Sequence, residues 1–279
     1  MKKLFFSIVM FCVCLSGICF QTSEAEAASV KGIELKNQKD IKKYDVTGDG
    51  VKDTIRIDCD KSDEMYDWMG DDWTVKINNE VVYRDNPEVY TETLSVVLYQ
   101  VSESRIYLDI QENVGSNDDI TSRAFYQYQD GTLVKVCDIY EPLSKHIYSF
   151  HFYVTGVKVT AKKITATYMN QFSASGYLAW EVTYKYQNGN WKKAGNTYKV
   201  TEDKEMTTSR KFAVYKTAGG KTKAFILKKG QTVQIKKICL KNKKTYLQLV
   251  LPNGKKGWLK SPNKDIPEGY YFEGVMFAG

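Results

Sequence analysis

Short runs of alternating apolar and polar residues recur along most of the chain: Thr54–Cys59, Trp73–Ile77, Leu94–Val101, Arg105–Ile110, Ala124–Tyr128, Leu133–Val136, Phe150–Val159, Ile164–Tyr168, Tyr177–Tyr186 and Trp191–Val200. A period of two sends successive side chains to opposite faces, so each run predicts a half-buried β-strand. Turn chemistry separates several of them: Asn78-Asn79, Asp130-Gly131 and Asn188-Gly189-Asn190. These residues tolerate the positive φ that a tight hairpin turn needs at its centre. No helix of four turns is predicted after residue 27. The pattern predicts an all-β chain of antiparallel hairpins, a meander packed in a propeller-like or sandwich arrangement over residues 28–200. Within it, Tyr126-Gln-Tyr-Gln-Asp-Gly-Thr-Leu-Val-Lys135 resembles Tyr184-Lys-Tyr-Gln-Asn-Gly-Asn-Trp-Lys-Lys193, 58 residues further on. That likeness points to a repeated blade or meander unit.

The first 27 residues depart from this pattern. Lys2 and Lys3 precede an apolar run, Leu4–Phe20, and a polar stretch that ends Ala25-Glu26-Ala27. This is the layout of a secretory signal peptide cut after Ala27. The run of 17 apolar residues is shorter than a membrane span of about 20. Ile18 before Cys19 does not suit a lipoprotein signal, which has a small residue there. The mature chain is therefore expected outside the cell, with no membrane segment. Export makes the cysteines informative. Three of six remain after cleavage, Cys59, Cys137 and Cys239, each in a strand-like run. They read as small buried residues, with a Cys59–Cys137 disulfide left open.

Composition supports the sheet reading and narrows the chemistry. Hydrophobic residues make up 43% of the 279, enough for a packed core. Tyr is abundant at 20 and Pro scarce at 5, which favours pleated sheet. Only two histidines occur, His146 and His151, so His-rich metal sites and most His-based catalysis are disfavoured. Charge divides the mature chain. Residues 28–204 hold 22 Lys and Arg against 27 Asp and Glu, a net of −5, whereas residues 205–279 hold 16 against 4, a net of +12. The swing predicts two modules, 28–200 and 210–279, joined by a polar linker over 201–209.

The sharpest local motif is Tyr44-Asp-Val-Thr-Gly-Asp-Gly-Val-Lys-Asp-Thr-Ile-Arg-Ile57. Counting Asp45 as the first loop position, Asp45, Thr47, Asp49, Val51 and Asp53 take the alternate positions and Gly50 the sixth. Calcium takes six to eight oxygens, and closely spaced carboxylates on a tight glycine turn suit it. The loop resembles the calcium loops of FG-GAP and VCBS-type repeats, in which a strand follows the last Asp directly. The resemblance implies calcium held by Asp45, Thr47, Asp49, Asp53 and the carbonyl of Val51. Arg56 stands where an EF-hand carries its bidentate Glu, and Thr47 where Asp or Asn is usual. An acidic stretch follows from Asp58 to Asp72, with Trp68 and Trp73 interleaved. It reads as a solvated face, as does the loop that includes Asp118 and Asp119.

Phe212-Ala-Val-Tyr215, Phe225-Ile-Leu-Lys-Lys-Gly230, Val233–Ile238, Tyr246-Leu-Gln-Leu249 and Gly254-Lys-Lys-Gly-Trp-Leu259 follow one another in the C-terminal module. In order and spacing they resemble a bacterial SH3 domain over about residues 210–263. The resemblance implies a small SH3-like β-barrel with Gly257 allowing close backbone approach and Trp258 as its buried plug. It also implies binding to the bacterial cell wall, with Tyr215, Tyr246, Tyr270 and Tyr271 as contacts. Charge points the same way, since a module of net +12 draws polyanions by long-range attraction. Outside a Gram-positive cell the available polyanion is teichoic acid rather than nucleic acid. No nucleophile-elbow or His-Glu-x-x-His spacing is present. The expectation is a secreted, non-enzymatic envelope protein that binds peptidoglycan or teichoic acid, and the alternative is a wall hydrolase with its active site in residues 28–200.

Overall fold

A computed structural model describes residues 28–62, 70–85, 91–114, 119–144, 147 and 152–275. The predicted leader, His146, His151, Trp68 and Asp118 lie outside those residues. The chain is all-β, with 59% of the described residues in strands and 2% in helix. In order the strands are β1 (Ile33–Glu34), β2 (Ile55–Ser62), β3 (Gly70–Ile77), β4 (Glu80–Arg84), β5 (Thr93–Ser102), β6 (Arg105–Val114), β7 (Asp119–Gln129) and β8 (Thr132–Asp138). A single turn of helix, α1 (Glu141–Ser144), precedes β9 (Phe152–Val159), β10 (Lys163–Phe172), β11 (Gly176–Gln187), β12 (Asn190–Lys193) and β13 (Thr197–Val200). The C-terminal strands are β14 (Glu205–Thr207), β15 (Phe212–Tyr215), β16 (Lys223–Leu227), β17 (Thr232–Lys241), β18 (Lys244–Val250) and β19 (Lys256–Lys260).

Three antiparallel sheets result, with strand orders β2-β3-β4, β1-β5-β6-β7-β8 and β16-β15-β19-β18-β17-β13-β11-β10-β9. The five-stranded sheet is the middle layer of a stack, because its strands are apolar on both faces. Val96, Leu98, Leu108 and Ile110 point toward β2–β4 and meet Ile57, Trp73 and Val75 in one core. Tyr99, Tyr107, Phe125 and Cys137, one residue out of phase, join Ile164, Tyr168, Trp180 and Val182 of the long sheet in another. The packing is that of a layered sandwich, one of the two arrangements expected from the pattern. The two resembling segments are β7–β8 and β11–β12, each the closing hairpin of a four-strand meander. Both turns take positive φ at their Asp/Asn-Gly pair, as do Asn78 and Asn79.

Cys59, Cys137 and Cys239 are buried and free, so the disulfide left open does not form. Burial pushes the Cys137 thiol up to about 12, with Asp138 and Asp109 adding to the effect. At neutral pH it is a protonated packing group and no nucleophile.

The two charge-defined halves are joined through the backbone. β13 pairs with β11 at Trp180–Val200 and with β17 at Thr197–Cys239 and Tyr198–Ile238. The stretch predicted as a linker carries β14, which pairs with β17 at Met206–Val233. The expected barrel does not close, and the C-terminal strands form an open sheet. The reason lies in β17, whose far edge is occupied by β13 and β14. A bulge between Ile235 and Lys237 lets one strand serve both. It shifts the buried positions from Val233 and Ile235 to Ile238 and Leu240, keeping the apolar side inward as the strand bends.

Candidate functional site

β15, β19 and β18 lie side by side, and alternation assigns their faces. Val214, Gly257, Leu259, Leu247 and Leu249 are buried beneath the sheet. On the opposite face Tyr215 stands across from Trp258, Trp258 across from Gln248, and Tyr246 across from Lys260. Directly paired residues share a face, so this register gathers aromatic rings and lysines on one surface.

That surface is the floor of a groove of about 820 Å³. Phe212, Tyr215, Tyr246, Trp258 and Tyr271 supply rings, and Lys221, Lys244, Lys260 and Lys264 supply charge. None of the described residues lining it is acidic. One wall is the turn between β15 and β16, where Gly219 takes φ +74° directly above the Tyr246 hydroxyl. A Cβ there would lie 3.1 Å from that oxygen, so only glycine lets the turn settle on the ring. Tyr271 packs edge-on against Phe212 at 5.1 Å between centroids. Burial, then Tyr270, raises the Tyr271 phenol above its ordinary value, with Arg210 opposing. The hydroxyl is therefore a neutral hydrogen-bonding group at physiological pH.

Three of the four expected wall-contact residues, Tyr215, Tyr246 and Tyr271, share this groove. Tyr270 stands beside it, edge-on to Tyr271 at 4.9 Å and covered by the Arg210 guanidinium at 4.3 Å. Trp258 corrects the sequence reading, which placed it as a buried plug. In the Lys256–Lys260 strand it alternates with the two inward residues, so it is half-exposed and lines the groove. The core position belongs to Leu259.

Gly257 behaves as expected. A Cβ on it would come within 2.6 Å of Val214 Cγ2 and 3.0 Å of Val214 Cβ. Gly257→Ala should therefore destabilise the protein by about 1–3 kcal/mol through overpacking. Thermal denaturation checks this, and an unchanged midpoint would contradict the contact.

The predicted calcium loop is closed by its own hydrogen bonds. Asp53 is 1% exposed. Its carboxylate accepts from Val46 N at 2.6 Å, Thr47 N at 2.9 Å, Thr47 Oγ1 at 3.2 Å and Asn78 Nδ2 at 2.6 Å. Asp45 accepts from Gly48 N at 2.6 Å and Gly50 N at 2.9 Å, and Asp49 from Val51 N at 2.7 Å. Asp53 thus anchors the loop to the β3–β4 turn, and the exposed Asp49 faces solvent. Among the described residues no three His, Cys, Asp or Glu side chains converge as a metal site requires. Also among them, no helix is long and apolar enough to cross a membrane.

The chain matches no protein-family model, no curated protein and no solved structure.

Sequence reasoning missed Lys221, Lys244, Lys260 and Lys264 as members of one site. They come from four separate places in the chain, and only the sheet brings them together. The Trp258 side could have been found, since Gly257 and Leu259 already mark the inward phase of that strand.

Proposed function

We propose that this is a secreted, non-enzymatic binding protein of the cell envelope that holds an anionic wall polymer in the groove over β15, β19 and β18. One observation supports the reading above others: five aromatic residues and four lysines line one open groove with no acidic residue among them. It lies on the half of the chain with net charge +12. The partly exposed rings of Tyr215, Trp258 and Tyr271 offer flat apolar faces to a polymer while the lysine ammoniums stay wet, and the buried Tyr246 supports the floor. The field of the basic half draws a polyanion toward them. The pairing of β13 with β17 gives the acidic half a fixed attachment to the wall-bound half.

Sedimentation of residues 28–279 with purified bacterial wall tests this. Binding is expected at low salt and should weaken strongly by 1 M, where the Debye length falls from ~10 Å to ~3 Å. The Tyr215→Ala/Trp258→Ala pair should reduce binding at least tenfold while circular dichroism stays unchanged. The wall should stay intact, measured as constant turbidity. No sedimentation at low salt would reject the proposal.

The calcium expectation enters in a narrower form. Asp45 and Asp49 are the proposed ligands, and Asp53 holds the loop's shape. Backbone N–H groups already occupy both oxygens of Asp45 and one of Asp49, so affinity should be weak, ~10⁻⁴–10⁻³ M as in extracellular modules. Calorimetry should show this heat and its loss in Asp49→Ala. A folded protein giving no heat at millimolar calcium would refute it.

A further inference from the structure

We infer that the groove is built for a phosphodiester polymer whose repeats carry a ring, a sugar-bearing polyol phosphate, in preference to a peptide. The inference rests on the envelope-binding reading and narrows it to one ligand chemistry.

The first argument comes from the type of cation. All four charged side chains that line the groove are lysines. The single arginine of the C-terminal half, Arg210, lies over Tyr270 and outside the groove. A guanidinium reads carboxylate and phosphate alike through its two-pronged fork, whereas an ammonium serves phosphate as a compact point charge that needs no fixed orientation. Among the described residues none of these lysines is in an ion pair. Their charge is therefore free for a ligand.

The second argument comes from the floor. The floor's backbone is engaged by the five-pair ladder of β18 with β19, and β15 joins β19 at Tyr215–Trp258. A peptide added as a strand needs unpaired N–H and C=O groups along an edge, and over β18 and β19 the groove offers a sheet face instead. What the face does offer is the Tyr215–Trp258 pair with Tyr246 and Tyr271 nearby. Such rings pack on a flat apolar face, which a bare polyphosphate lacks and a sugar possesses. Lys221 and Lys264 enter from loops, while Lys244 and Lys260 stand at strand ends. Rings in the middle and ammoniums at the border match a chain in which phosphates flank a ring-bearing unit.

The test uses residues 28–279 and two wall preparations, one intact and one stripped of phosphodiester polymers with hydrofluoric acid. At least tenfold more protein should sediment with intact wall. In competition, glycerol-phosphate polymer bearing sugars should outperform the unsubstituted polymer about tenfold. That preference should vanish in Trp258→Ala, with folding confirmed by circular dichroism. The Lys221→Gln/Lys264→Gln pair should flatten the dependence of log Kd on log salt, since fewer counterions are exchanged. Equal sedimentation with stripped wall overturns the phosphodiester inference and leaves envelope binding standing. No sedimentation with either wall overturns both. Single-stranded oligo-dT competing better than the sugar-bearing polymer would overturn it in favour of nucleic acid, which also joins phosphates to rings.

Discussion

Residues 28–204 alone should melt on the order of 10 °C below residues 28–279, and the longer chain should unfold in one calorimetric transition. Charge and composition suggest two separable modules, yet β13 sits between β11 and β17 and belongs to both. Tyr198 and Val200 on β13 are 3% and 4% exposed and share a core with Ile235, Ile238 and Leu240 of β17. Removing β17 uncovers both. Each such side chain contributes about 1.5–3 kcal/mol by burial. In a unit of this size ~1 kcal/mol moves the midpoint by about 2–4 °C, so two side chains account for the expected shift. The ladder between β13 and β17 is lost as well. Two resolved transitions, with the first half melting at the same temperature alone and in the full chain, would show that the joint carries no energy.

Asp109→Ala should destabilise the protein by about 3–5 kcal/mol, read from denaturant midpoints at constant slope. Asp109 is 1% exposed on β6 and faces the long sheet. Its two oxygens receive Arg123 Nε at 3.0 Å and Nη2 at 2.7 Å, while Arg123 Nη1 donates to the Val154 carbonyl at 3.3 Å. One guanidinium thereby ties the middle sheet to β9. Burial alone would lower the Arg123 pKa, but Asp109 outweighs it and holds the group charged. Without Asp109 a full charge remains between two sheets with one carbonyl for company. The Asp109→Leu/Arg123→Met pair removes both charges and should recover most of the loss, since a matched apolar pair needs no solvation. A loss below 1 kcal/mol in Asp109→Ala would mean that water reaches the guanidinium.

Much of the architecture could be read directly from residues. The hairpins at Asn78-Asn79, Asp130-Gly131 and Asn188-Gly189 are where turn chemistry places them, because positive φ is a local demand met by local residues. The Asn242-Lys243 turn also takes positive φ and escaped notice, since lysine carries no such signal. β14 was hidden in a polar stretch: only three residues long, it is held by partners on β17 and has no periodicity of its own. The tyrosines of the candidate groove stood out as exposed candidates, but Tyr246 is only 8% exposed beneath the β15–β16 turn, and Trp258 was assigned inward because tryptophan is more often buried. Alternation with Gly257 and Leu259 overrules that tendency. Asp45, Asp49 and Asp53 were recognised by spacing, which does not reveal that backbone donors already occupy their oxygens.

Local patterning along the chain determines its all-β character, most tight turns, the inward phase of the longer regular strands and the basic character of residues 205–279. These follow from interactions within a few residues, or from charge alone. Long-range pairing decides the rest: a middle sheet buried on both faces, one sheet running through both charge-defined halves, an open edge where a barrel was expected, and four distant lysines around one aromatic floor. A strand's sequence specifies which side faces a core but carries little about which strand lies alongside. That choice depends on backbone groups, which are the same at nearly every residue, and on apolar faces that many partners could cover.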